Sequence, residues 1–103
     1  PLFLFADDLA LMDWLNHQEQ LNQWAQPPAL LRFDQALLDS RVADWNQEIL
    51  SPEGNLEQAA HQLFGALRRL EKSAGMILAQ KVPNTGLGAA INDRLQRASM
   101  KPQ

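Results

Sequence analysis

With 103 residues, 46% of them hydrophobic and 20% charged, the chain has the composition of one soluble globular domain with a real core, which argues against a disordered chain. It contains no cysteine, so disulfides, thiolate nucleophiles and cysteine-held metals are excluded, and that usage fits a reducing cytoplasm. No apolar run approaches the roughly 20 residues that cross a bilayer, and the opening Pro1-Leu2-Phe3-Leu4-Phe5 is too short, and lacks the basic flank, for a secretory signal.

The net charge of -3 is unevenly spread: residues 1–60 hold ten acids against two bases, a balance of -8, and residues 61–103 hold seven bases against two acids, a balance of +5. Mutual neutralisation of two halves in one folded unit is the plain reading; a basic half that meets an anion is the alternative. The bases are too few to suggest direct nucleic-acid binding.

Leu2-Phe3-Leu4-Phe5 is continuously apolar, as a strand buried on both faces should be. Asp7 or Asp8 can cap the helix that follows, with Leu11, Trp14, Leu15, Leu21 and Ala25 at helical spacing until Pro27-Pro28 stops it. Ala29-Leu30-Leu31-Arg32-Phe33 reads as a second strand, residues 35–42 as a short helix and residues 46–51 as a third strand. Asn55 and Gln58 form a capping-box pattern. Behind them Leu56, Ala59, Ala60, Leu63, Phe64, Leu67 and Leu70 make an amphipathic stripe, with Arg68, Arg69 and Lys72 near the end that the helix dipole makes favourable for cations and Gly75 as its stop.

Apolar Met76-Ile77-Leu78-Ala79 then runs through Pro83 into a Gly86-Leu87-Gly88 turn and a last helix with Leu87, Ala90, Ile91, Leu95 and Ala98 on one side. The order β-α-β-α-β-α-β-α predicts an α/β fold: a small Rossmann-like three-layer domain, residues 1–103, with a mostly parallel sheet of about four strands. The chain starts inside a strand and Met100 to Gln103 reads as a frayed tail, the pattern of a fragment cut from a larger protein.

Loops after parallel strands are where ligands of open α/β sheets bind. The Gly86 loop, with Gly86, Leu87, Gly88, Asn92 and Arg94, is therefore the candidate anion or domain contact. It lacks the third glycine and the later acid of a dinucleotide fingerprint, and two glycines equally serve a tight turn and close helix packing. Arg94 and Arg97 are expected to pair with the acidic first half of the chain. Asp7-Asp8 resembles a metal-binding pair, yet helix capping accounts for it; His17 and His61 stand far apart on polar helix faces, which speaks against a zinc site. No serine stands in a nucleophile-elbow pattern. Trp14, Trp24 and Trp45 suit a core or a docking surface. No catalytic or metal-binding residue is assigned.

Residues 55–98 resemble the C-terminal domain of long-form threonylcarbamoyl-AMP synthases. The resemblance is carried by Asn55-Leu56-Glu57-Gln58-Ala59-Ala60, by Leu63-Phe64-Gly65-Ala66-Leu67-Arg68-Arg69-Leu70, and by Ile77-Leu78-Ala79, Val82-Pro83, Gly86-Leu87-Gly88 and Asn92-Asp93-Arg94-Leu95-Gln96-Arg97-Ala98 in the same order. Gly65, Glu71 and Gln80-Lys81 depart from the family pattern. The resemblance implies a cytoplasmic accessory domain of a nucleotidyltransferase that makes threonylcarbamoyl-adenylate for tRNA threonylcarbamoyladenosine modification. The chemistry, and with it ATP, threonine, bicarbonate and Mg, would belong to an N-terminal catalytic domain acting as partner, leaving no cofactor and no activity to this chain alone. A free-standing α/β interaction module, or a small nucleotide-binding domain using the Gly86 loop, is the alternative.

Overall fold

A computed structural model describes residues 1–18 and 26–100. Four strands form one sheet: β1 (Leu2–Phe5), β2 (Ala29–Arg32), β3 (Gln47–Ile49) and β4 (Ile77–Gln80). Their spatial order is β1-β4-β2-β3 and every pair is parallel, with Leu2 opposite Ile77, Leu30 opposite Leu78 and Leu30 opposite Gln47. Parallel strands require long crossovers: α1 (Asp8–Asn16) lies between β1 and β2, residues 33–46 join the neighbours β2 and β3, α2 (Leu56–Ser73) lies between β3 and β4, and α3 (Leu87–Ala98) follows β4.

Alternation along the strands sorts the apolar side chains into two layers. Ala29, Leu31, Ile77 and Ala79 pack with Ala59, Leu63, Ala66, Leu67 and Leu70 of α2 and with Ile91 and Leu95 of α3. Leu30 and Leu78 point the other way, onto Leu11 and Leu15 of α1 and onto Leu37, Val42 and Trp45 of the β2–β3 connection, with Phe3, Phe5 and Trp14 at the margin. The predicted three-layer α/β domain is the one observed.

Its details differ in instructive ways. β1 lies at a sheet edge, so only Leu2 is buried and Phe3 to Phe5 are half-buried. The edge is covered at its start by the main chain after α3: the Met100 amide donates to the Leu2 carbonyl at 2.8 Å, and Ser99 bridges Leu2. Met100 is thus tied down instead of frayed; residues 101–103 lie outside those described. α1 ends at Asn16, where the His17 amide turns back to the Trp14 carbonyl. The expected extension through Leu21 and Ala25, and Trp24 with it, falls outside the described residues.

The helix predicted over residues 35–42 is instead a loop closed by one 3₁₀ turn, Ser40–Val42, because local side chains outcompete the helical ladder. Asp39 caps the turn by accepting from the Arg41 amide. The Arg41 guanidinium, first, and that same amide, second, hold the Asp39 carboxyl down at about 2. Arg41 also donates to Asn16 Oδ1 at 2.6 Å and so pins the loop to α1. Gln47 fixes the loop's other end, accepting from the Leu37 amide at 2.8 Å and donating to the Leu37 carbonyl at 3.2 Å.

α2 begins as its sequence predicts. Asn55 Oδ1 accepts from the Gln58 amide, and buried Ser51 joins the cap by donating to Gln58 Oε1 and accepting from the Asn55 amide. Its end differs, since the cap is Ala74 in an extended conformation and Gly75 does not adopt positive φ. Phe64 is also not a core residue. It stands about 100° around the helix from Leu63 and remains 70% exposed.

The two neighbours therefore respond oppositely to truncation. Leu63→Ala, which empties buried volume, should cost about 2–5 kcal/mol, while Phe64→Ala should stay within about 0.5 kcal/mol of the parent. Urea denaturation of both variants checks the difference.

Candidate functional site

Two constellations of polar side chains gather where the strands end. The first joins β1 to β2. Asp7 caps α1, its Oδ1 accepting from the Ala10 amide at 2.9 Å. Asp8 turns toward the sheet and receives both terminal nitrogens of Arg32, at 2.7 and 3.1 Å, while Arg32 Nε donates to the Gln35 carbonyl at 2.9 Å. Arg32 is 4% exposed, so its charge is withdrawn from water and matched by a two-point carboxylate contact. The Asp7-Asp8 pair that resembles a metal site is thus divided between a helix cap and an internal ion pair. Among the described residues no three His, Asp or Glu side chains come together as a metal site.

The second constellation is the loop after β4. Buried Asn92 reaches back from α3 and acts as a two-way clamp on Val82: its Oδ1 accepts from the Val82 amide and its Nδ2 donates to the Val82 carbonyl, each at 2.8 Å, with a further contact to Asn84 at 3.3 Å. A side-chain amide here satisfies the main chain just as β4 leaves the sheet.

Gly86 has φ +53 and starts α3 without a side-chain cap, and the amides of Gly88 and Ala89 are taken by the carbonyls of Thr85 and Gly86. At Gly88 a Cβ would lie 1.8 Å from the Pro83 carbonyl oxygen, so the absence of a side chain is what lets α3 approach the loop.

Leu87 and Arg94 face away from this clamp. Leu87 borders a shallow depression of about 390 Å³ with Glu57, Ala60 and His61 of α2. Arg94 lies over the Phe64 ring, 5.7 Å from its centroid. Among the described residues neither Arg94 nor Arg97 pairs with the acidic first half: Arg97 pairs with Asp93 on its own helix, and the contact joining the two halves is Arg69 with Glu48 at 3.0 Å. The five residues singled out by sequence therefore divide, Gly86, Gly88 and Asn92 holding the loop and Leu87 and Arg94 lining an α2–α3 surface.

Sequence reasoning read Arg32 only as part of a strand, set His61 on a polar helix face and counted Phe64 in the core stripe, and so assigned none of the three to a site. The signals were an arginine closing an apolar strand with an acid after the previous strand, and an aromatic one position off the core stripe.

Taken together, fold and site define a small parallel α/β domain whose buried strand-end groups Arg32 and Asn92 hold its own framework. A family model described as the C-terminal domain of threonylcarbamoyl-AMP synthase matches residues 2–100, and the chain belongs to that family. The match reaches upstream of residue 55 to take in β1, β2 and β3. No curated protein and no solved structure matches the chain.

The two constellations predict unequal costs. Asn92→Ala leaves the Val82 amide and carbonyl without partners and should destabilise by about 2–4 kcal/mol; Gly88→Ala should cost about 3 kcal/mol or more through its overlap with Pro83, against about 1–3 for Gly86→Ala, whose positive φ a side chain strains. Asp8→Ala strands a buried guanidinium, whereas Arg32→Met leaves a carboxylate that water can reach, so Asp8→Ala should be the more damaging by about 1 kcal/mol or more. Chemical denaturation of the five variants gives both rankings.

Proposed function

We propose that this chain is the accessory domain of a threonylcarbamoyl-AMP synthase, serving tRNA threonylcarbamoyladenosine modification by supporting a catalytic domain in the cytoplasm and performing no chemistry itself. Membership of the C-terminal domain family over residues 2–100 is the observation that carries the reading. The use of the polar residues supports it. Synthesis of an acyl-adenylate needs groups that hold the triphosphate and stabilise charge as pyrophosphate leaves. At the Gly86 loop the first turn of α3 spends two amides on Thr85 and Gly86, and Arg32, the buried cation nearest in role, is committed to Asp8. ATP, threonine, bicarbonate and Mg accordingly belong in this reading to the catalytic domain, and this chain's contribution is a rigid surface.

The test is pyrophosphate release from threonine, bicarbonate and ATP. The chain alone should give the background rate, and adding it to a separately produced catalytic domain of the family should raise that domain's thermal midpoint by a few degrees through mass action. Turnover by the chain alone, from material free of host synthase, would falsify the accessory reading in favour of a catalytic one.

A further inference from the structure

The groove between α2 and α3 combines features that nothing in the fold requires. Leu87 lies beside Glu57, Ala60 and His61 in the first turns of α2, and Arg94, two turns along α3, lies over Phe64. The helices therefore run side by side in the same direction, with a groove between them graded along its length. At its start is the 390 Å³ depression floored by half-buried Ala60 and walled by Leu87, which is 47% exposed. At its middle Phe64 stands 70% exposed beneath the Arg94 guanidinium. One turn further along α2 comes exposed Arg68, which among the described residues has no acidic partner within ion-pair distance, and neither has Arg94.

Two large apolar side chains left in water, with two cations beyond them that lie outside ion-pair distance of any acid among the described residues although Glu71 shares a shallow pocket with Arg94, specify a complementary occupant. The apolar notch takes an aliphatic side chain; the cations take carboxylates placed about 10 Å further on, which is about seven residues of a helix. An aromatic with arginine stacked on it, ringed by polar groups, is also the composition of interface hot spots.

We infer that the α2–α3 groove docks an amphipathic helix of a partner protein, its leucine-like anchor in the Ala60–Leu87 notch and its carboxylates, two turns on, against Arg94 and Arg68. This inference rests on the accessory-domain reading, to which it adds the face used and the chemistry of what is bound there.

The experiment is a pair of titrations of the isotopically labelled chain followed by amide chemical shifts. The first uses a synthetic helical peptide with one leucine cluster and glutamates about seven residues on. It should shift the amides of residues 56–68 and 87–95 and bind with a dissociation constant of about 10–100 µM. Changing the glutamates to lysine, or the chain by Arg94→Glu or Phe64→Ser, should weaken binding about tenfold or more, with thermal midpoints of the exposed-site variants confirming an intact fold. Failure to bind at millimolar peptide, equal binding of the lysine peptide, or tighter occupation of the same amides by a short single-stranded RNA overturns the inference.

The second titration uses a catalytic domain of the family. Shifts confined to another face overturn the groove and leave the accessory reading standing. Absence of binding, alongside normal peptide occupation of the groove, removes the accessory reading and leaves the groove.

Discussion

β4 is last among the strands in sequence but second in the sheet, and the other elements meet through it. It pairs with β1 on one side and β2 on the other. Leu78 sends its side chain into the α1 layer while Ile77 and Ala79 enter the layer beneath α2 and α3. Without residues 77–80 the remaining strands would form no single sheet, since β1 touches β2 only through them. Closure of this fold thus waits on contacts between residues more than seventy positions apart, a long-range dependence expected of parallel sheets. The Asn92 clamp acts at the same place, fixing the chain as it leaves β4 and setting where α3 can begin.

The parts that were legible in the sequence share a cause: their local pattern and their tertiary environment agree. The α2 stripe from Leu63 to Leu70, the Asn55–Gln58 cap and the Gly88 approach all follow from spacing or from the steric character of one residue. The expected helix over residues 35–42 failed because the Asp39 carboxylate accepts from both the amide and the guanidinium of Arg41 at short range. Gly75 misled for a different reason: extended Ala74 directs the chain into β4 without any left-handed cap.

At the candidate site, sequence showed the loop but not the division of labour within it. Asn92 sits one position after buried Ile91, and nothing local reveals that its amide folds under the loop to meet Val82. Arg32 was likewise opaque, since its partner Asp8 lies across a crossover and only the adjacency of β4 to both β1 and β2 brings their ends near one another. Phe64 and Arg94 come from different helices, so their stacking is a property of how α2 and α3 pack and of neither sequence taken singly.

The sheet's two margins are closed unequally, and that bears on the domain's behaviour at high concentration. An open parallel sheet has two edges, each able to recruit a strand from a neighbouring molecule and so to start aggregation. β3 limits this hazard by brevity, since three residues present few free main-chain groups. β1 is longer and mostly apolar, and its protection comes from Ser99 and Met100 lying along its first residue. Two residues beyond the last helical turn therefore cover the first residue of that edge, and trimming the chain at Ala98 would spare every helix and strand of the fold while uncovering the main chain of Leu2 to a second copy.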